Sequence, residues 1–161
     1  MAEGTYFLTF RTYGTWVHGD SRGSVDSDHR EYGEPLLRRD DSLLRRRKAA
    51  MKDAAFLLDS ALRRQTVEAA IRETCDYRGW EILALNVRTN HVHVVLNANL
   101  AKERVLANLK AWATRRLRGA GLATEEDRVW AHHGSTRVLD SEAAVEGAVQ
   151  YVVFEQGVAL E

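Results

Sequence analysis

The chain has 161 residues, 45% of them hydrophobic and 29% charged, which is the balance of one globular domain and excludes a mainly disordered chain. Lysine plus arginine equals aspartate plus glutamate at 23 each, so any polyanion site must be a local patch on a neutral molecule. The only cysteine, Cys75, excludes an internal disulfide and cysteine-based zinc fingers. No apolar run is long enough to span a bilayer, and the opening Met-Ala-Glu-Gly-Thr-Tyr lacks the basic-then-apolar pattern of a signal peptide. A cytoplasmic location is the expectation.

The first strand is predicted at Thr5–Arg11, rich in aromatic and β-branched residues. Three glycines between Gly14 and Gly23, then polar sequence up to Pro35, predict a long loop. Loops of this length are more often binding elements than plain connectors. Within residues 18–48 lies a basic segment, Arg38-Arg39 and Arg45-Arg46-Arg47-Lys48. Good helix formers from Leu43 to Leu62, and apolar residues at Val67, Ala70, Ile71 and Thr74/Cys75, predict helices over 43–62 and 66–77. Gly79 is the expected C-cap.

Two adjacent strands follow. Over Trp80–Thr89 the alternation places Leu83, Leu85 and Val87 on one face. Over His91–Asn97 it places Val92, Val94 and Leu96 on one face and His91, His93 and Val95 on the other. Thr89-Asn90 is the expected tight turn. Lys102–Arg118 reads as an amphipathic helix with Val105, Leu109, Trp112, Ala113 and Leu117 inward, ended by Gly119–Gly121. Ser135–Leu139 is a short strand, and Asp140 or Ser141 caps a last helix over Glu142–Gln156. Its apolar stripe is Ala144, Val145, Ala148, Val149, Val152 and Val153. This order predicts an α+β fold, a mainly antiparallel sheet covered by helices.

Two features carry chemistry. In Asn90-His-Val-His-Val-Val-Leu96, histidines at i and i+2 of a strand point the same way with Cβ atoms about 6–7 Å apart. Both imidazoles can then hold one divalent ion while the valine face anchors the strand. In the last helix Tyr151 stands at the edge of the apolar stripe, one turn before Glu155. A phenol and a carboxylate on adjacent turns bring a nucleophile and a metal ligand to one place. Each feature also has a plain structural explanation, as half-exposed histidines on a sheet and a tyrosine at a helix edge.

The combination resembles the single-tyrosine HUH transposases, the IS200/IS605 group and their REP-associated tyrosine transposase branch. It rests on the His-Val-His strand, the helix, strand and tyrosine-bearing helix after it, the opening Tyr6-Phe-Leu-Thr-Phe-Arg-Thr-Tyr-Gly-Thr-Trp16, and Val129-Trp-Ala-His-His-Gly-Ser-Thr-Arg137. The resemblance implies a ferredoxin-like HUH endonuclease sandwich with His91 and His93 as metal ligands. It implies Tyr151 as nucleophile and a polar residue one turn later as third ligand, either Glu155 at i+4 or Gln156 at i+5. It implies Mg²⁺ or Mn²⁺ as cofactor, and a single-strand endonuclease and strand transferase acting on hairpin DNA through a 5′-phosphotyrosine. A free phenol ionises only near pH 10, so the metal or a base must help remove its proton.

Arg45, Arg46, Arg47 and Lys48 form one candidate DNA-binding cluster, and Lys110, Arg115, Arg116 and Arg118 another. Trp16 and Trp130 are expected in the core, and His132 and His133 in a loop outside the metal site. The competing functional readings are a catalytically silent DNA-binding protein of the same fold, and a metal-dependent hydrolase with Tyr151 a bystander. Members of the family occur as monomers and as homodimers.

Overall fold

The computed structural model describes residues 4–15 and 55–154. The predicted long loop from Trp16 onward, the Arg38–Lys48 basic segment, Glu155 and Gln156 all lie outside the described residues. Four strands, β1 (Gly4–Arg11), β2 (Glu81–Val87), β3 (His91–Ala98) and β4 (Ser135–Val138), form one sheet in the order β2-β3-β1-β4. Every pairing is antiparallel. Among the described residues three helices cover it: α1 (Ala61–Arg78), α2 (Lys102–Gly119) and α3 (Glu142–Phe154). The fold is α+β, as the element order predicts.

The period-2 pattern of the central strands divides the core into two layers. Leu8, Phe10, Val92, Val94 and Leu96 face α1 and α2, which bury Val67, Ile71, Val105, Leu109 and Leu117 against them. Val95 faces the other way, with Ala84 and Leu139, and receives Ala148 and Val152 of α3. Full burial of a valine or leucine side chain is worth about 1.5–3 kcal/mol. The strand bearing the histidines is therefore anchored by its opposite face.

Three expectations are corrected. The helix predicted over Leu43–Leu62 does not extend through residues 55–60. There the chain is extended, with Phe56 and Leu58 buried and their N–H groups donating to Tyr13 O at 2.9 Å and Thr89 O at 2.7 Å. Helix α1 starts only where the Ser60 hydroxyl accepts from Arg63 N at 3.1 Å. Backbone pairing of the preceding segment and an N-cap outweigh good helix propensity.

The second correction concerns β2. Leu83 does not share a face with Leu85 and Val87, because a β-bulge between Ile82 and Ala84 shifts the register by one residue. Ile82, Leu85 and Val87 pack with the α1/α2 layer, whereas Leu83 and Ala84 pack under α3. The third is in α3, where Val153 is about half exposed instead of belonging to the apolar stripe. Beyond these, Gly79 ends α1 at φ 74°, a left-handed conformation that glycine adopts without steric cost. Ser141 is the residue that caps α3, its hydroxyl accepting from Ala144 N at 3.1 Å.

Candidate active site

His91 and His93 project from β3 toward the α3 side of the sheet, their ring centroids 4.8 Å apart and nearly perpendicular at 75°. Each ring is oriented through Nδ1. That of His91 lies 2.8 Å from Asn90 Oδ1, and that of His93 lies 2.8 Å from Thr9 Oγ1. An amide oxygen only accepts, so Nδ1 of His91 is the donor in this bond and Nε2 is the nitrogen left to face a ligand. The Thr9 hydroxyl can accept in the same way. Outer partners of this kind fix the tautomer and ring direction of metal-binding imidazoles.

Strand register decides what surrounds the pair. Thr9 of β1 and Asn86 of β2 lie opposite His93, and Arg11 lies opposite His91. Alternation with Leu85 and Val87 turns Asn86 to this face. Asn86 Nδ2 donates to Val152 O at 3.1 Å and so ties α3 to the strand beside the histidines.

Tyr151 comes from that tied turn. Its ring centroid is 5.7 Å from that of His93, edge-on at 82°, and 6.0 Å from that of Phe7. Phe7 in turn contacts His93 at 5.5 Å. The three rings form a cluster in which His93 is buried while Tyr151 is 39% exposed. The phenol is accessible from outside while one side of its ring is held by packing. Phe7, His93 and Tyr151 are remote from one another in sequence, and the sheet with its covering helix brings them together.

The donor set tests the implied metal. Two imidazoles on one strand face, each oriented through Nδ1, suit a divalent ion as two of its ligands. Among the described residues there is no group of three His, Cys, Asp or Glu side chains that would complete such a site. Glu155 and Gln156, the two residues expected from the sequence as third ligand, lie outside the described residues.

The Lys110–Arg118 cluster is not part of this constellation. It lies on α2, across the sheet from the histidines, and its side chains are engaged in the fold. Lys110 Nζ donates to the carbonyls of Ala131, at 3.0 Å, and His133. Burial lowers its pKa. Arg115 stacks over Trp112 at 5.2 Å, and Arg116 pairs with Glu73 at 3.3 Å. Arg118 donates to Thr124 O at 3.1 Å and to Asp127 O at 3.3 Å. Trp130 packs edge-on against Phe10 at 4.9 Å, as a core residue should. His132 and His133 are exposed in the loop before β4, where His133 adopts φ 66°.

Sequence reasoning missed Thr9, Asn86 and Phe7. Alternation in β1 separates Phe7 and Thr9 from Leu8 and Phe10, but only the pairing of β1 with β3 places them beside His93.

The family model described as "Transposase IS200 like" matches residues 49–151, more than half of the chain, spanning both histidines and closing on Tyr151. The chain belongs to the IS200-like transposase family. No curated protein matches it significantly. Among solved structures, a REP-associated tyrosine transposase bound to a REP hairpin superposes with TM-score 0.54 at 14% identity, over 92% of this chain and 64% of that one. This IS200-like chain thus spans less than two-thirds of that relative's length, and the likeness supports a shared fold. A candidate transposase from Deinococcus radiodurans R1 gives TM-score 0.49 at 18% identity, over 99% of this chain and 95% of that one. No helix among the described residues is long and apolar enough to cross a membrane.

Proposed function

We propose that this IS200-like chain is a metal-dependent single-strand DNA endonuclease and strand transferase with Tyr151 as its nucleophile. The observation that carries the reading is the meeting of Tyr151 with His91 and His93 on one sheet face, 5.7 Å from the nearer ring. Nothing in the packing of a stable α+β domain requires a half-exposed phenol beside two oriented imidazoles.

In this reading His91 and His93 hold Mg²⁺ or Mn²⁺, with Glu155 or Gln156 as third ligand. The ion, when bound, supplies Lewis-acid polarisation of the scissile phosphate and stabilises its developing charge. The protein's own groups do the rest. Thr9 and Asn90 hold the imidazoles in place, and Phe7 and His93 hold the Tyr151 ring. The Tyr151 Oη–P bond forms as the P–O3′ bond breaks; the phenol gives up its proton and the departing 3′ oxygen gains one. The product is a 5′-phosphotyrosine and a free 3′-OH. Attack of that or another 3′-OH on the phosphotyrosine reverses the step and rejoins strands without nucleotide hydrolysis.

Hairpin-forming single-stranded DNA is the proposed partner, in keeping with the REP hairpin held by the structural relative. The test is a denaturing gel of the protein with labelled single-stranded oligonucleotides carrying the hairpins that flank its own gene. It is run with Mn²⁺ or Mg²⁺, with EDTA, and with Tyr151→Phe. A metal-dependent protein–DNA band that survives SDS and disappears in Tyr151→Phe is expected. Cleavage that persists in Tyr151→Phe without such a band overturns the tyrosine mechanism, and binding without cleavage favours a silent DNA-binding protein.

A further inference from the structure

The sheet face that carries the histidines is only half covered among the described residues. Helix α3 lies over β2 and β3, with Phe7 at its margin. The β1 and β4 half next to it presents Thr9, Arg11, Ser135 and Arg137. Register places them in rows: Arg11 opposite His91, Ser135 beside Thr9 and so in line with His93, and Arg137 opposite Phe7. Phe7 is the residue against which both His93 and Tyr151 pack. Arg137 therefore stands one strand away from the ring cluster, on the same face, and is exposed.

Charge on this half is one-sided although the chain as a whole is neutral. Strands β1, β3 and β4 contain no aspartate or glutamate, and their charged residues are Arg11 and Arg137. Along the strand direction these two are about 13 Å apart, one on either side of the His93–Thr9–Ser135 row. A phosphate at that row would have the exposed Arg137 guanidinium toward its neighbouring phosphate.

The position of β4 is also rigidly defined. A Cβ on Gly134 would come within 2.7 Å of Thr9 O, a backbone atom that cannot yield, so glycine is needed where β4 docks on β1. Lys110 holds the carbonyls of Ala131 and His133 immediately before it. Edge strands commonly carry a cation to prevent aggregation, but that role is served by any solvent-facing position and needs no fixed approach. Here the anchoring delivers Arg137 to the tyrosine's side of the sheet.

We infer that Arg137 is a phosphate-binding residue of the proposed reaction, and that the β1–β4 half of the sheet beside α3 is the track along which the DNA strand flanking the scissile phosphate lies. This deepens the tyrosine-nucleophile reading and rests on it.

The experiment compares wild type, Arg137→Ala and Arg137→Lys in single-turnover formation of the covalent complex, using the same hairpin oligonucleotides with Mn²⁺ across a salt series. A lost charge-assisted contact to phosphate should slow capture at subsaturating DNA about ten- to hundredfold in Arg137→Ala. It should also reduce the slope of log affinity against log salt by about 0.7, the share of one phosphate on a single strand. Arg137→Lys should restore the slope and part of the rate. Because Arg137 is exposed, melting temperatures should agree across the three proteins. Wild-type rate and salt slope in Arg137→Ala overturn the inference while leaving the tyrosine reading intact. Absence of any covalent complex in wild type overturns both.

Discussion

The Asn86 side-chain amide donates to the carbonyl of Val152 at 3.1 Å, joining the strand beside the histidines to the turn of α3 that bears Tyr151. Among the described residues this bond ties that turn to β2 and so fixes the position of α3 over the sheet. Losing it should cost about 1 kcal/mol of stability. The effect on chemistry should be larger, because a misplacement of about 1 Å can cost a hundredfold in rate. Asn86→Ala is expected to retain the fold and lower covalent DNA capture by more than tenfold. Asn86→Asp, which presents an acceptor to an acceptor, should be at least as impaired. Circular dichroism melts and single-turnover capture, measured on the same preparations, check both statements.

Thr9 makes a second prediction through His93. With its hydroxyl 2.8 Å from His93 Nδ1, Thr9 orients the proposed ligand's ring without touching a metal itself. Thr9→Val keeps the shape and removes the bond. Outer-sphere losses of this type typically cost ten- to about a hundredfold in metal affinity. The Mn²⁺ concentration giving half-maximal capture should rise by that factor in Thr9→Val and return toward normal in Thr9→Ser. Equal Mn²⁺ requirement in all three would show that Thr9 serves only strand packing.

Much of this arrangement is legible in the amino-acid sequence, for physical reasons that differ by element. The alternation in His91–Asn97 fixes which side the histidines take, because a buried valine face permits one orientation. Gly79 and Ser141 announce helix ends through backbone chemistry that few other residues supply. The β2 bulge is not legible: Leu83, Leu85 and Val87 alternate without a break, and only pairing with β3 shows the extra residue. Alternation with Leu85 and Val87 turns Asn86 to the other face, but only the pairing with β3 sets it opposite His93. Likewise, Leu57 and Leu58 suit a helix intrinsically, and the backbone bonds of Phe56 and Leu58 to Tyr13 and Thr89 are contacts no local pattern encodes. The basic cluster on α2 is a further case, because charge spacing along a helix does not show that Arg116 faces Glu73 or that Lys110 faces two carbonyls.

Lys110 is accordingly expected to act through the fold. Its ammonium spans the carbonyls of Ala131 and His133, and replacing it with methionine leaves both acceptors without this donor. Hydrogen bonds involving a charged group contribute about 1.5–3 kcal/mol. Lys110→Met should therefore melt several degrees below wild type and expose the β4 amides to faster hydrogen exchange. An unchanged melting temperature combined with weaker DNA binding would instead assign Lys110 to DNA contact.

Cys75 gives the last prediction, and its sign follows from burial. Desolvation in the α1 core, reinforced by the neighbouring Asp76 carboxylate and opposed by Arg72, pushes the thiol from its ordinary 9.0 up to about 11. A raised pKa means that the folded state favours the protonated thiol more than the unfolded state does. That contribution is fully present below pH 9 and is lost as pH rises toward about 11. Near neutral pH the native protein should resist Ellman's reagent and react promptly once denatured, because the thiolate is the reactive form and the thiol is buried. Across the same alkaline window, wild type should lose stability more steeply than Cys75→Ala, which has no thiol to ionise. Chemical denaturation at a series of pH values reads that difference, and parallel slopes for the two proteins would show that the thiol does not ionise on unfolding in this range.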